Sequence, residues 1–111
     1  MRWLLAFALV ACSKSAPPSP KELPALPAAE VQRGRDACAA YVDRVCACTS
    51  PGAKQACPLA KALPDALKLA LETAENPTTD HDSAMRAQVN VRETAKECIE
   101  QTAKLPALGC P

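Results

Sequence analysis

The chain has 111 residues, 13 Lys+Arg against 12 Asp+Glu and a formal net charge of +1, which is enough chain for one small domain. So even a balance offers no basic stripe to a nucleic-acid backbone and no acidic tail to buffer cations. Seven cysteines and 11 prolines, against only three glycines, point to a stapled, proline-punctuated fold without a glycine-rich phosphate cradle.

Arg2 precedes an apolar run from Trp3 to Val10, far short of the ~20 residues that span a bilayer as a helix. The run closes on Leu9-Val10-Ala11-Cys12. With an aliphatic residue three before the cysteine and a small one just before it, this tetrapeptide resembles the lipobox of bacterial lipoproteins. The resemblance implies that residues 1–11 are an export signal peptide cut between Ala11 and Cys12. Cys12 then carries a diacylglyceryl thioether and its new amine is acylated. Each buried methylene contributes ~0.8 kcal/mol, so two or three chains on one residue make a lasting anchor. Ser13, by resemblance to the sorting pattern of Gram-negative lipoproteins, directs the protein to the outer membrane. Lipid on Cys12 also accounts for the odd cysteine and leaves Cys38, Cys46, Cys48, Cys57, Cys98 and Cys110 as an even set.

Trp3 and Phe7 leave with the signal, so Tyr41 is the one aromatic residue of the mature chain. That argues against stacking platforms for single-stranded nucleic acid. It also forces the core to be built from Leu, Val and Ala, a thin core of the kind that needs staples.

Residues 12–28 contain Pro17, Pro18, Pro20, Pro24 and Pro27. This density favours extended polyproline II over helix, a tether reaching roughly 40–50 Å. Residues 29–111 form the expected disulfide-rich domain. A first helix is predicted from Ala28 to Cys48, with Val31, Val42 and Val45 within about 40° of Cys38 and Tyr41 at the edge of that stripe. Thr49-Ser50-Pro51-Gly52 reads as a breaker. A second helix is predicted from near Cys57-Pro58 to Glu75 on a stripe of Leu59, Leu63, Ala66, Leu67, Ala70 and Ala74, kinked or split at Pro64. A third starts around Thr79-Asp80, Thr79 capping, and buries Ala84, Ala87, Val91, Ala95, Cys98, Thr102 and Leu105 until Pro106 stops it. Asp82–Arg86 and Glu100–Lys104 are expected ion pairs on its wet side. No run alternates as a strand does. The fold class is therefore all-α, a small three-helix bundle of antiparallel neighbours stapled by disulfides after the proline-rich tether.

Six cysteines permit fifteen connectivities. In an up-down-up bundle Cys38 and Cys98 sit at similar heights on parallel helices and pair best. Cys46 and Cys48 project to opposite flanks and take different partners: Cys48–Cys57 with Cys46–Cys110 is the preferred assignment, the swapped one its near equal. The rival reading makes Cys46, Cys48 and Cys57 soft ligands for Cu(I) or Zn(II), or redox thiols in the periplasm. Exported thiols oxidise and no C-x-x-C is present, which favours disulfides. His81, between Asp80 and Asp82 and near Ser83, is expected to be a first-turn residue rather than a catalytic base, since one helical turn rarely supplies nucleophile, base and oxyanion hole together. The expectation is a non-enzymatic, cofactor-free, lipid-anchored module of the cell envelope with a structural or protein-binding role. Its partners are the membrane, through Cys12, and another envelope protein.

Overall fold

The structure, a computed structural model, describes residues 23–111; the lipobox with Cys12, Ser13, and the proline-rich segment up to residue 22 lie outside the described residues. Three helices, α1 (Ala28–Ala47), α2 (Pro51–Glu75) and α3 (His81–Ala103), are followed by a short 3-10 turn, Leu105–Leu108. No strand occurs among the described residues. The fold is the all-α, disulfide-stapled three-helix bundle.

The helices are positioned by cross-links that can be read along the chain. Gln88 Nε2 donates to Pro24 O at 2.8 Å and Arg92 Nε to Glu30 Oε1 at 2.7 Å. Gly34 abuts Ala95, and Cys38 is bonded to Cys98. Both series ascend together, so α1 and α3 run parallel. Between them α2 runs the other way, with Cys57 bonded to Cys46 and Leu67 beside Gly34. Gly34 is buried, and a Cβ added there would lie 3.1 Å from the Ala95 Cβ. The missing side chain therefore sets how closely α1 approaches α3.

Helix α2 begins earlier than the sequence suggests. Ser50 is its N-cap, its hydroxyl accepting from Ala53 N at 3.2 Å, and Pro51 is its first residue. At that position proline loses no hydrogen bond and its φ is already helical, so the supposed breaker is a start signal. Pro58 and Pro64 both lie inside, and α2 is one element across them rather than two helices split at Pro64. Each proline leaves one carbonyl four residues back without its partner. Packing of Ala60, Leu67 and Leu71 into the core holds the element together. That phase turns Leu59 outward, 76% exposed, and Ala66 with it, correcting two members of the predicted stripe and adding Leu71.

Asp80, not Thr79, caps α3, its carboxylate accepting from Ser83 N at 3.1 Å. Helix α1 stops one residue before Cys48, which is its C-cap. The core is small: Cys38, Val45, Cys98 and Leu105 are fully enclosed, with Tyr41, Leu67, Leu71 and Val91 close behind. Tyr41 is thus interior rather than marginal, and Val31 and Val42 are only half-buried. Leu105 lies in the 3-10 turn instead of extending α3, because Pro106 has no N–H for a further helical bond. Glu100 pairs with Lys96 at 3.8 Å rather than with Lys104, and Arg92 with Glu30 replaces the expected Asp82–Arg86 bridge. Both pairs are exposed and contribute little, about 0–1 kcal/mol each.

Candidate functional site

The chemistry-bearing residues gather at two ends of the bundle. At one end the proline-rich segment arrives: Leu26 packs on the core, and the carbonyl of Pro24 is held by Gln88. Helix α1 then runs some 30 Å away from this entry, at 1.5 Å per residue over its 20 residues. The opposite end carries four of the six cysteines.

All six are paired. Cys38–Cys98 joins α1 to α3 with Cα atoms 4.9 Å apart, both residues at 0% exposure. Cys46–Cys57 joins α1 to α2 at a Cα separation of 4.9 Å, and Cys48–Cys110 joins the α1–α2 loop to the stretch after the 3-10 turn at 5.8 Å. The sequence-preferred Cys48–Cys57 and Cys46–Cys110 assignment is thereby corrected to the swapped one. The reason is the early start of α2. Cys57 lies in its second turn, where it faces Cys46 on the flank of α1, leaving Cys48, beyond the helix, to reach Cys110.

Two residues that sequence reading did not assign to this end complete it. Gly109 has φ +83°. Gly109 N donates to Pro106 O and Cys110 N to Leu105 O, at 3.1 and 3.0 Å, the paired closure of a Schellman motif that aims Cys110 back at the bundle. The signal was legible as a glycine after Leu105-Pro106-Ala107-Leu108. Ser50 Oγ lies 3.4 Å from Cys48 Sγ and 3.8 Å from Cys110 Sγ. Disulfide sulfurs carry no hydrogen, so the hydroxyl is the donor while it caps α2. Beside this disulfide a cleft of about 390 Å³ is lined by Arg44, Thr49 and Pro111 with the two cysteines, and Arg44 Nη2 donates to Pro111 O at 3.2 Å.

With Cys46, Cys48 and Cys57 all oxidised, none offers the thiolate a metal requires. No cluster of three or more His, Cys, Asp or Glu side chains with metal-ligand geometry occurs among the described residues. Near the other end, Asp80 spends its carboxylate on the α3 cap. The hydrogen bond from Ser83 holds its pKa below the ordinary carboxylate range. His81 is half-buried, and its Nδ1 lacks a hydrogen-bond partner. Ser83 also lines a groove between α2 and α3 with Arg86 and Asn90. Tyr41 has its pKa raised, by burial first and by the Glu97 carboxylate second.

Among the described residues no helix is long and apolar enough to cross a membrane. No protein-family model, curated protein or solved structure matches this chain.

Proposed function

We propose that the chain is an exported lipoprotein, held at the bacterial cell envelope by lipid on Cys12, whose stapled helical domain has a structural or protein-binding role. One observation carries the reading. The six cysteines between Cys38 and Cys110 satisfy one another, so the seventh, Cys12, has no cysteine of the domain left to pair with. It stands where Leu9-Val10-Ala11-Cys12 resembles a lipobox. The tether enters beside Gln88, at the end of the bundle opposite the Cys46–Cys57 and Cys48–Cys110 staples.

The domain acts by presence and contact rather than by turnover. Its six cysteines are paired with one another, Asp80 is a helix cap, and its one histidine shares no hydrogen bond with Ser83 or either flanking aspartate. A resident metal on Cys46, Cys48 and Cys57 would need two disulfides opened first.

Fractionation of cells expressing the full chain and Cys12→Ser tests the anchor. The native chain sediments with membranes and stays there through a high-salt wash, whereas Cys12→Ser loses that detergent-requiring association. A native chain that washes off with salt, or a Cys12→Ser chain held as tightly as the native one, would overturn the reading.

A further inference from the structure

The three staples are not chemically equivalent. Cys38–Cys98 is sealed in the core, both residues at 0% exposure. Cys46 and Cys57 are half-buried, but each lies inside a helix, α1 or α2, that is packed along its length. If their bond is broken, the helices keep the sulfurs together and favour reclosure, a high effective concentration. Cys48 and Cys110 lie outside the three helices, one in the α1–α2 loop and one beyond the 3-10 turn. Their backbones can part without unwinding a helix.

The surroundings of this third bond favour attack on it. The 390 Å³ cleft gives access, and Cys48 is the more open of the two residues, half-buried where Cys110 is 5% exposed. The Arg44 guanidinium in the same cleft attracts an anionic sulfur. The Ser50 hydroxyl and the positive end of α2 lie beside both sulfurs, an environment that stabilises thiolate.

We infer that Cys48–Cys110 is an exchangeable latch, opened by a dithiol reductant, while the other two disulfides hold the bundle. The incoming thiolate bonds to Cys48 Sγ and the Cys48–Cys110 bond breaks, its electron pair leaving on Cys110 Sγ within reach of the Ser50 hydroxyl. The reductant's second thiol then displaces Cys48. The dithiol ends as a disulfide, and Cys48 and Cys110 end as thiols. Opening removes the covalent hold on Gly109–Pro111, next to Leu108, which covers Gly52 so closely that a Cβ there would stand 3.3 Å from its Cδ2. The inference does not depend on the fate of Cys12.

The test uses the full oxidised chain, exposed to dithiothreitol under native conditions, quenched at intervals with iodoacetamide and mapped by peptide mass. Cys48 and Cys110 are expected to be alkylated at least about tenfold faster than the other four domain cysteines, with helical circular dichroism retained. Arg44→Gln slows that step several-fold at low salt and leaves the other pairs unchanged. Opening of Cys46–Cys57 first, loss of all three bonds together with the helical signal, or an Arg44→Gln rate equal to the native one would each overturn it. Alkylation at Cys12 is mapped separately and bears on the anchor alone.

Discussion

Replacing Cys38 and Cys98 together by alanine removes the one staple that is also core. The two residues are separated by 60 positions, and a free loop of that length would correspond to about 4 kcal/mol of unfolded-state entropy. The unfolded chain is not free, however, because Cys48–Cys110 remains. From Cys38 to Cys48 is about ten residues and from Cys98 to Cys110 about twelve, so the remaining bond already closes a path of about 22 residues, worth about 3 kcal/mol. Both sulfurs come from fully enclosed positions, and the voids they leave add about 1–2 kcal/mol. The expected loss is therefore about 4–5 kcal/mol, which lowers Tm by roughly 16–40 °C in a domain of this size. Replacing Cys46 and Cys57 opens a loop of only 11 positions, from half-buried sites, and should cost about 3 kcal/mol. Urea unfolding followed by circular dichroism, with the other bonds kept oxidised, measures both. A loss for the core pair smaller than that for Cys46–Cys57, or under about 1 kcal/mol, would refute the reasoning.

Gly34→Leu places a side chain where even a Cβ meets Ala95 at 3.1 Å, so it should destabilise by about 1–3 kcal/mol or more, read as a lower urea midpoint. Ser50→Ala removes the α2 cap and should cost about 1 kcal/mol in the same assay; a change within a few tenths would show that the cap is idle. Tyr41, alone among the aromatics in lying within the described residues, should titrate above the usual tyrosine value of ~10 when followed by ultraviolet difference absorbance. Its folded pKa is raised, so its contribution to stability is whole below the unfolded pKa and is lost as pH rises through the folded one. Alkaline unfolding should begin in that window, and an ordinary midpoint would mean that Tyr41 is not held inside.

Much of this architecture was legible because apolar spacing alone distinguishes helix from strand. Ala84, Ala87, Val91 and Cys98 recur at helical intervals and are the buried face of α3. Cys38 and Cys98 are pairable from sequence because two short loops force parallel outer helices. The errors in α2 and in the disulfide pairing share one physical source, the reading of Ser50-Pro51-Gly52. As a stop signal it delays α2, shifts its stripe toward Leu59 and hands Cys57 to Cys48. As a capped start it sets the observed phase and the observed pairing. Proline punctuates either end of a helix, and only the serine before it, with three residues free to follow, favours the beginning. The cleft beside Cys48–Cys110 was beyond sequence reading, since Arg44 and Pro111 meet only once the Schellman turn at Gly109 folds the chain back.

An anchor at Cys12 and a domain whose own cysteines are all paired are both read from one mass. Protein extracted from membranes with detergent is alkylated without reduction and weighed intact. The expected species is a chain that begins at Cys12, carries the added mass of lipid and bears no alkyl group. A chain that retains residues 1–11, lacks lipid, or gains alkyl groups at two or more of the domain cysteines would contradict it.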